Sequence, residues 1–217
     1  VLFVPACCLF PPAVCLASLG LFTGACPISS RQSPVLCLKI ISGGQTGVDR
    51  AALDAAMEKG MEVGGWCPRD RRSEEGAIPV HYPLKETAAR SYAVRTERNV
   101  MDSDGTLILV LNEISSGTRL TVDAARAQGK PLKIEHLANP VSGGLLMAEN
   151  SSAEQADSVV DWIQCHKIRV LNVAGPRGSS SPEIYPKARA FMELVLDRLP
   201  TDAPGPSRPA ASSRRRI

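Results

Sequence analysis

The sequence predicts an α/β protein, with three α/β/α layers around a mostly parallel sheet. Three observations predict it. Short apolar runs alternate with amphipathic or alanine-rich runs of helical length between residues 35 and 200. The apolar runs are nearly continuous, as strands buried on both faces of a parallel sheet should be. Loops rich in glycine and hydroxyls follow three of these runs, where open α/β sheets bind ligands.

The elements follow in order. Val35–Ser42 (VLCLKIIS) reads as a buried strand. Thr46 to Lys59 reads as a helix, with Ala51, Ala52, Ala55 and Ala56 forming a small face for close packing and Gly60 as its left-handed stop. Met61–Gly64 fits a second short strand. Residues 65–86, with Pro68, Pro79 and Pro83, form an irregular stretch long enough to suggest a function. Ala88 to Met101 is an amphipathic helix with Tyr92, Thr96 and Val100 on one side. Thr106–Leu111 (TLILVL) is a buried strand. Thr118 to Gln128 is a helix closed by Gly129, and Pro131–Glu135 a short strand. Ala153 to Cys165 is a helix, Arg169–Ala174 a strand, and Glu183–Leu199 a last helix ended by Pro200.

The ends differ from this body. Residues 1–30 carry no charge and hold Cys7, Cys8, Cys15 and Cys26, four of the seven cysteines. No basic segment precedes the apolar stretch, and Pro11-Pro12 would break a membrane helix there. We expect residues 1–34 to be a non-domain leader, either translated from a wrongly chosen start or a targeting segment. Residues 201–217, rich in Pro, Ala, Ser and Arg, are expected to be a disordered basic tail. The domain is then 35–200.

Composition excludes several functions. The net charge of +3 comes from the ends: residues 1–34 hold one arginine, residues 201–217 four arginines and one acid, and the body 20 basic and 21 acidic side chains. A near-neutral body argues against nucleic acid or an anionic membrane as partner. Aromatic residues make only 4%, too few for base-stacking platforms. Cys37, Cys67 and Cys165 match no metal or disulfide framework, and His81, His136 and His166 are scattered. No metal ligand set is assigned, and a reducing, cytoplasmic setting is expected.

Three loops have the chemistry of an anion site. Ser42–Arg50 brings Gly43, Gly44, Gln45, Thr46 and Gly47 to a helix start. Glycine permits close backbone approach, Thr46 can cap the helix, and Arg50 offers a planar cation. The Lys of a Walker loop and the third Gly of a dinucleotide loop are missing. Ser115-Ser116-Gly117-Thr118 delivers hydroxyls to a second helix start, where ordinary capping is the alternative. Gly175–Ser181 offers Arg177 with three serines, or only a flexible turn. Elsewhere, Trp66 and Cys67 either wall a planar ligand or pin the long loop. Arg69, Arg71 and Arg72 read as a solvated run. Arg95 and Asn99 share a helix face that lines a pocket or faces water. Asp102 and Asp104 are turn residues or a carboxylate pair.

Five ordered blocks carry a resemblance: Ser-Gly-Gly-Gln-Thr-Gly-Val-Asp-Arg (42–50), Gly-Gly-Trp-Cys-Pro (64–68), Arg-Thr-Glu-Arg-Asn-Val (95–100), Asp-Ser-Asp-Gly-Thr-Leu (102–107) and Leu-Asn-Val-Ala-Gly-Pro-Arg (171–177). Over about residues 38–199 the chain resembles the "putative molybdenum carrier" family, the circularly permuted YpsA-like branch of the SLOG superfamily. The resemblance implies a Rossmann-like fold and a homo-oligomer that binds a pterin-phosphate or nucleotide-like ligand, with molybdenum cofactor (molybdopterin) as cofactor. It implies that Gly43–Arg50 is the principal phosphate loop, that Ser116-Gly117-Thr118 is the second, and that Arg177 closes the site. The permutation would let the late strand 169–174 sit beside the first. The chain departs from the pattern at Ser116, where a glycine is expected, at Gly178, where an acid is expected, and at Glu183, where a glycine is expected.

Two readings from different classes result. The first is a binding protein that stores or hands off molybdenum cofactor to molybdoenzymes, with Cys67 near the metal end. The second is a SLOG-type phosphoribohydrolase acting on a nucleoside monophosphate, for which Asp49, Glu97 and Asp123 are the carboxylates at hand. A nucleotide sensor is a weaker third. No nucleophile–base pair is visible and no catalytic residue is assigned, so binding is favoured over turnover.

Overall fold

The computed structural model describes residues 38–137 and 145–200. The leader 1–34, the start of the first strand with Cys37, and the tail 201–217 lie outside the described residues. Five strands form one parallel sheet: β1 (Lys39–Ile41), β2 (Val63–Gly64), β7 (Gly105–Val110), β8 (Leu132–His136) and β9 (Val170–Ala174). Their order is β2-β1-β9-β7-β8. The last strand therefore lies in the centre, with Ile41 opposite Asn172 on one side and Ile108 opposite Ala174 on the other. Counted as though β9 came first, the order is 3-2-1-4-5, that of the doubly wound nucleotide-binding folds. The fold is Rossmann-like, and the permutation is visible in the strand order.

β7 explains the layering. All six of its residues are buried. Leu107 and Leu109 belong to one core and Ile108 and Val110 to another, as alternating side chains on opposite faces must. Helices α1 (Val48–Glu58), α4 (Leu145–Cys165) and α5 (Ile184–Asp197) cover the first face. Ala51, Ala52, Ala55 and Ala56 are fully buried in the same cluster as Ala188, Phe191 and Met192 of α5, so the alanine face permits close helix packing. Helix α3 (Ser116–Ala127) covers the second face through Val122, and α2 (Tyr92–Asp102) packs beside it. No helix among the described residues is long and apolar enough to cross a membrane.

The elements match the expected alternation, with shifted ends. Helix α2 starts at Tyr92 and not at Ala88, because the Ser91 side chain caps it, accepting from Ala93 N at 3.3 Å. The Ala89 carbonyl is taken by Arg69 N at 3.0 Å and by the Thr87 hydroxyl at 2.8 Å. Helix α4 begins earlier than Ala153, at Leu145.

The stretch 65–86 is built rather than irregular. β3 (Trp66–Cys67) pairs in parallel with β6 (Lys85–Glu86), and β4 (Arg72–Ser73) forms a hairpin with β5 (Gly76–Ala77). Leu53, Cys67, Ile78, Tyr82 and Leu84 make its own small core. Arg71 is no solvated charge. Its guanidinium donates to the carbonyls of Ile78 (2.9 Å), Leu84 (3.2 Å), Pro79 (2.9 Å) and Tyr82 (2.9 Å). One planar donor fork thus organises the loop.

Candidate functional site

All five strands point the same way, so the loops after β1, β7 and β9 leave from one edge of the sheet. A cavity of about 200 Å³ opens there. Ala174 at the end of β9 and the segments that follow β9 and β7 line it, at the point where the strand order reverses, which is where such sheets bind ligands.

Three walls enclose the cavity. The first turn of α3 supplies Ser116, Gly117 and Thr118. Ser115 caps that turn, its hydroxyl accepting from Thr118 N at 3.4 Å. A Cβ on Gly117 would meet nothing within 4 Å, so this turn faces open space. The positive end of a 12-residue helix is directed to the site. The loop after β9 supplies Gly175, Arg177 and Ser180. The third wall is Gln45 and Asp49 with Tyr92, Arg95 and Thr96 of α2.

Arg95 and Asp49 form the electrostatic centre. Arg95 Nη1 lies 3.3 Å from Asp49 Oδ2, and their side chains are 13% and 5% exposed. Burial pushes the Asp49 carboxyl above its usual range, against the pull of Arg95 and hydrogen bonds from Gln45, Ser42 and Gly43. Arg95 Nε is buried with no hydrogen-bond partner among the described residues. Leaving such a donor unsatisfied costs about 1–3 kcal/mol.

The expected ligand residues divide into two groups. Gln45, Ser116, Gly117, Thr118 and Arg177 line the cavity. Gly43, Gly44, Thr46, Gly47 and Arg50 are not among its lining residues and build the loop behind it. A Cβ on Gly43 would lie 1.7 Å from Arg95 Nη1, so the guanidinium rests on this backbone. Gly47, at φ 80°, admits the Pro176–Gly178 backbone. Thr46 does not cap α1. Gly47 takes the cap position, without a side-chain hydrogen bond, and Val48 N donates to Pro176 O at 3.3 Å. Thr46 Oγ1 instead accepts from Gly178 N at 3.0 Å and donates to Glu74. Arg50 is committed to Glu75 (2.8 Å), Ser73 (3.2 Å) and the Gly44 carbonyl (3.3 Å).

Other candidates prove structural. Asn99 clamps the Trp66 backbone, accepting from its N at 2.7 Å and donating to its O at 3.0 Å. Trp66 Nε1 donates to Asp102 at 2.7 Å. Asp104 accepts from the N–H groups of Arg169 (2.9 Å) and Val170 (2.8 Å), so the two aspartates are not a catalytic pair. Cys67 is fully buried in the loop's own core, where burial pushes its thiol up, and it does not line the cavity. Among the described residues no three His, Cys, Asp or Glu side chains are grouped to hold a metal.

Sequence reasoning missed Glu74. It joins the loops after β1 and β9, accepting from Ser179 N at 3.2 Å and from the hydroxyls of Thr46 and Ser179, beside Arg177 at 3.8 Å. Burial raises its carboxyl, but these hydrogen bonds and the Arg177 charge outweigh burial and hold it below the usual range. The available signal was Ser73-Glu74-Glu75-Gly76, a hairpin-turn pattern inside the long loop.

Comparison with known proteins agrees with this fold. A crystal structure described as a "putative molybdenum carrier protein" from Syntrophus aciditrophicus SB shares 41% identity, covering 73% of this chain and 94% of that one, with a TM-score of 0.66. No curated protein matches the chain. The model of the circularly permutated YpsA SLOG family matches residues 40–196. With β9 threaded between β1 and β7, and with that match spanning most of its length, the chain belongs to the circularly permutated YpsA family of the SLOG group.

Proposed function

We propose that this protein is a carrier that binds molybdenum cofactor through its phosphate, without turnover. The observation that carries this reading is a cavity lined by the guanidinium-bearing Arg95, whose buried Nε has no hydrogen-bond partner among the described residues, and by the first turn of α3. The residues fit the phosphate-bearing end of such a ligand. Arg95, Ser116, Gly117 and Thr118 would hold the phosphoryl group, and Tyr92 and Gln45 would flank the carbon atoms next to it. A volume of about 200 Å³ encloses only that end. The described side chains offer no thiolate or histidine set for the metal, so the cofactor's own dithiolene would supply its soft ligands. The name of the 41%-identical neighbour supports the same class of ligand. In this reading the protein is a cytoplasmic homo-oligomer that hands its cofactor to molybdoenzymes.

Hydrolysis of a nucleoside monophosphate is less favoured. Such a reaction needs a carboxylate free to act at the sugar. Asp49 is the one carboxylate among the cavity's lining residues, and it is ion-paired with Arg95. Glu97 and Asp123 line a separate groove between α2 and α3. Anaerobic titration of the full chain with released molybdenum cofactor tests the proposal. Saturable binding that inorganic phosphate competes away is expected. Absence of binding, or release of a free base from AMP, would overturn it.

A further inference from the structure

The two glutamates at the tip of the β4–β5 hairpin engage the two arginines of the glycine-rich loops. Glu75 holds Arg50 at 2.8 Å, outside the cavity. Glu74 holds Arg177 at 3.8 Å, on the cavity wall. It also takes the Ser179 N–H at 3.2 Å and the hydroxyls of Thr46 and Ser179. Its own N–H donates to Gln45 Oε1 at 3.1 Å, and Gln45 lines the cavity. Glu74 therefore takes both Ser179 donors of the Gly175–Ser181 loop and sets a negative charge beside Arg177, so this loop offers an incoming anion less than its sequence suggests. Arg95 and the first turn of α3, which Glu74 does not touch, also line the cavity.

We propose that Glu74 is a specificity-determining residue that restricts the site to ligands with a single phosphoryl group, monophosphate esters rather than diphosphates. The proposal rests on the reading of the cavity as an anion site. One phosphoryl group is satisfied by Arg95 and α3. A second needs donors of its own, and in the loop after β9 Glu74 already takes Ser179 and pairs with Arg177. It would also bring negative charge towards the Glu74 carboxylate, which pairs with the cavity-lining Arg177.

The test is titration calorimetry of the full chain with inorganic phosphate and pyrophosphate, and with AMP and ADP. The unaltered protein should bind phosphate and AMP in preference to pyrophosphate and ADP. Glu74→Gln should leave phosphate affinity within about twofold and improve pyrophosphate affinity about tenfold or more, as expected for removing one like charge from a part-buried site. Glu75→Gln should leave the preference unchanged. A merely structural Glu74 would shift all four ligands together. An unchanged preference in Glu74→Gln, with phosphate still bound, overturns this proposal alone. Failure of the unaltered protein to bind phosphate or AMP overturns the anion site as well. Should Glu74→Gln not fold, Glu74→Asp withdraws the carboxylate by one methylene, and the preference must weaken in the same direction.

Discussion

A single methyl group at Gly43 tests the electrostatic centre. Gly43 needs no unusual backbone angle, so Gly43→Ala acts through space alone. Its Cβ would lie 1.7 Å from Arg95 Nη1 and 2.3 Å from Cζ, so the guanidinium must leave. Removing one partner of a buried ion pair costs about 3–5 kcal/mol. Here Arg95 keeps its charge and can swing towards the cavity mouth, so a loss of about 2–3 kcal/mol is expected. The loss should depend on pH. Asp49 has a folded pKa above its ordinary 3.8, so its contribution is complete below that value and declines as pH rises through the folded one. With Arg95 displaced the folded value climbs further, and the variant should lose more at pH 7 than near pH 4. Phosphate affinity should fall about 10–100-fold, the equivalent of one charge-assisted hydrogen bond. Urea unfolding of the full chain at the two pH values and phosphate calorimetry provide the assay. Unchanged stability and affinity would refute the placement of Arg95. A loss equal at both pH values would refute its coupling to Asp49.

Three other contacts give outcomes of the same kind. Lys130 Nζ donates to the carbonyls of Val100 (2.9 Å), Met101 (2.5 Å) and Ser103 (2.6 Å) and closes the C-terminus of α2, so Lys130→Met should lower stability by about 1–2 kcal/mol in urea unfolding. Asp104→Ala uncaps two N–H groups at the start of the central strand, and should cost about 1–3 kcal/mol by the same measurement. Glu74 has a depressed folded pKa. Its stabilisation is present above the ordinary 4.5 and lost as pH falls through the folded value, so Glu74→Gln should flatten the acid limb of the stability–pH curve below that point.

The alternation of elements was legible because β7 and β9 are buried on both faces, and because the Ala51–Ala56 face could only serve close packing. The site's edge was legible too, since a parallel sheet sends three loops to one end. The roles within those loops were not. Gly43 and Gly47 read equally well as phosphate cradle or packing glycines, and only the positions of Arg95 and residues 176–178 distinguish the two. Arg71, Asn99 and Glu74 act through bonds to residues up to 105 positions away, and no local pattern encodes these. Thr46 precedes a helix and so resembles a cap, but the neighbouring loop claims its hydroxyl first.

A native mass spectrum of the full chain, purified anaerobically from a host that makes molybdenum cofactor, tests the central claim most directly. The account predicts an adduct of molybdopterin mass that disappears on denaturation and is absent from Arg95→Met. A chain that carries a nucleotide instead, or the same molybdopterin adduct in Arg95→Met, would contradict it.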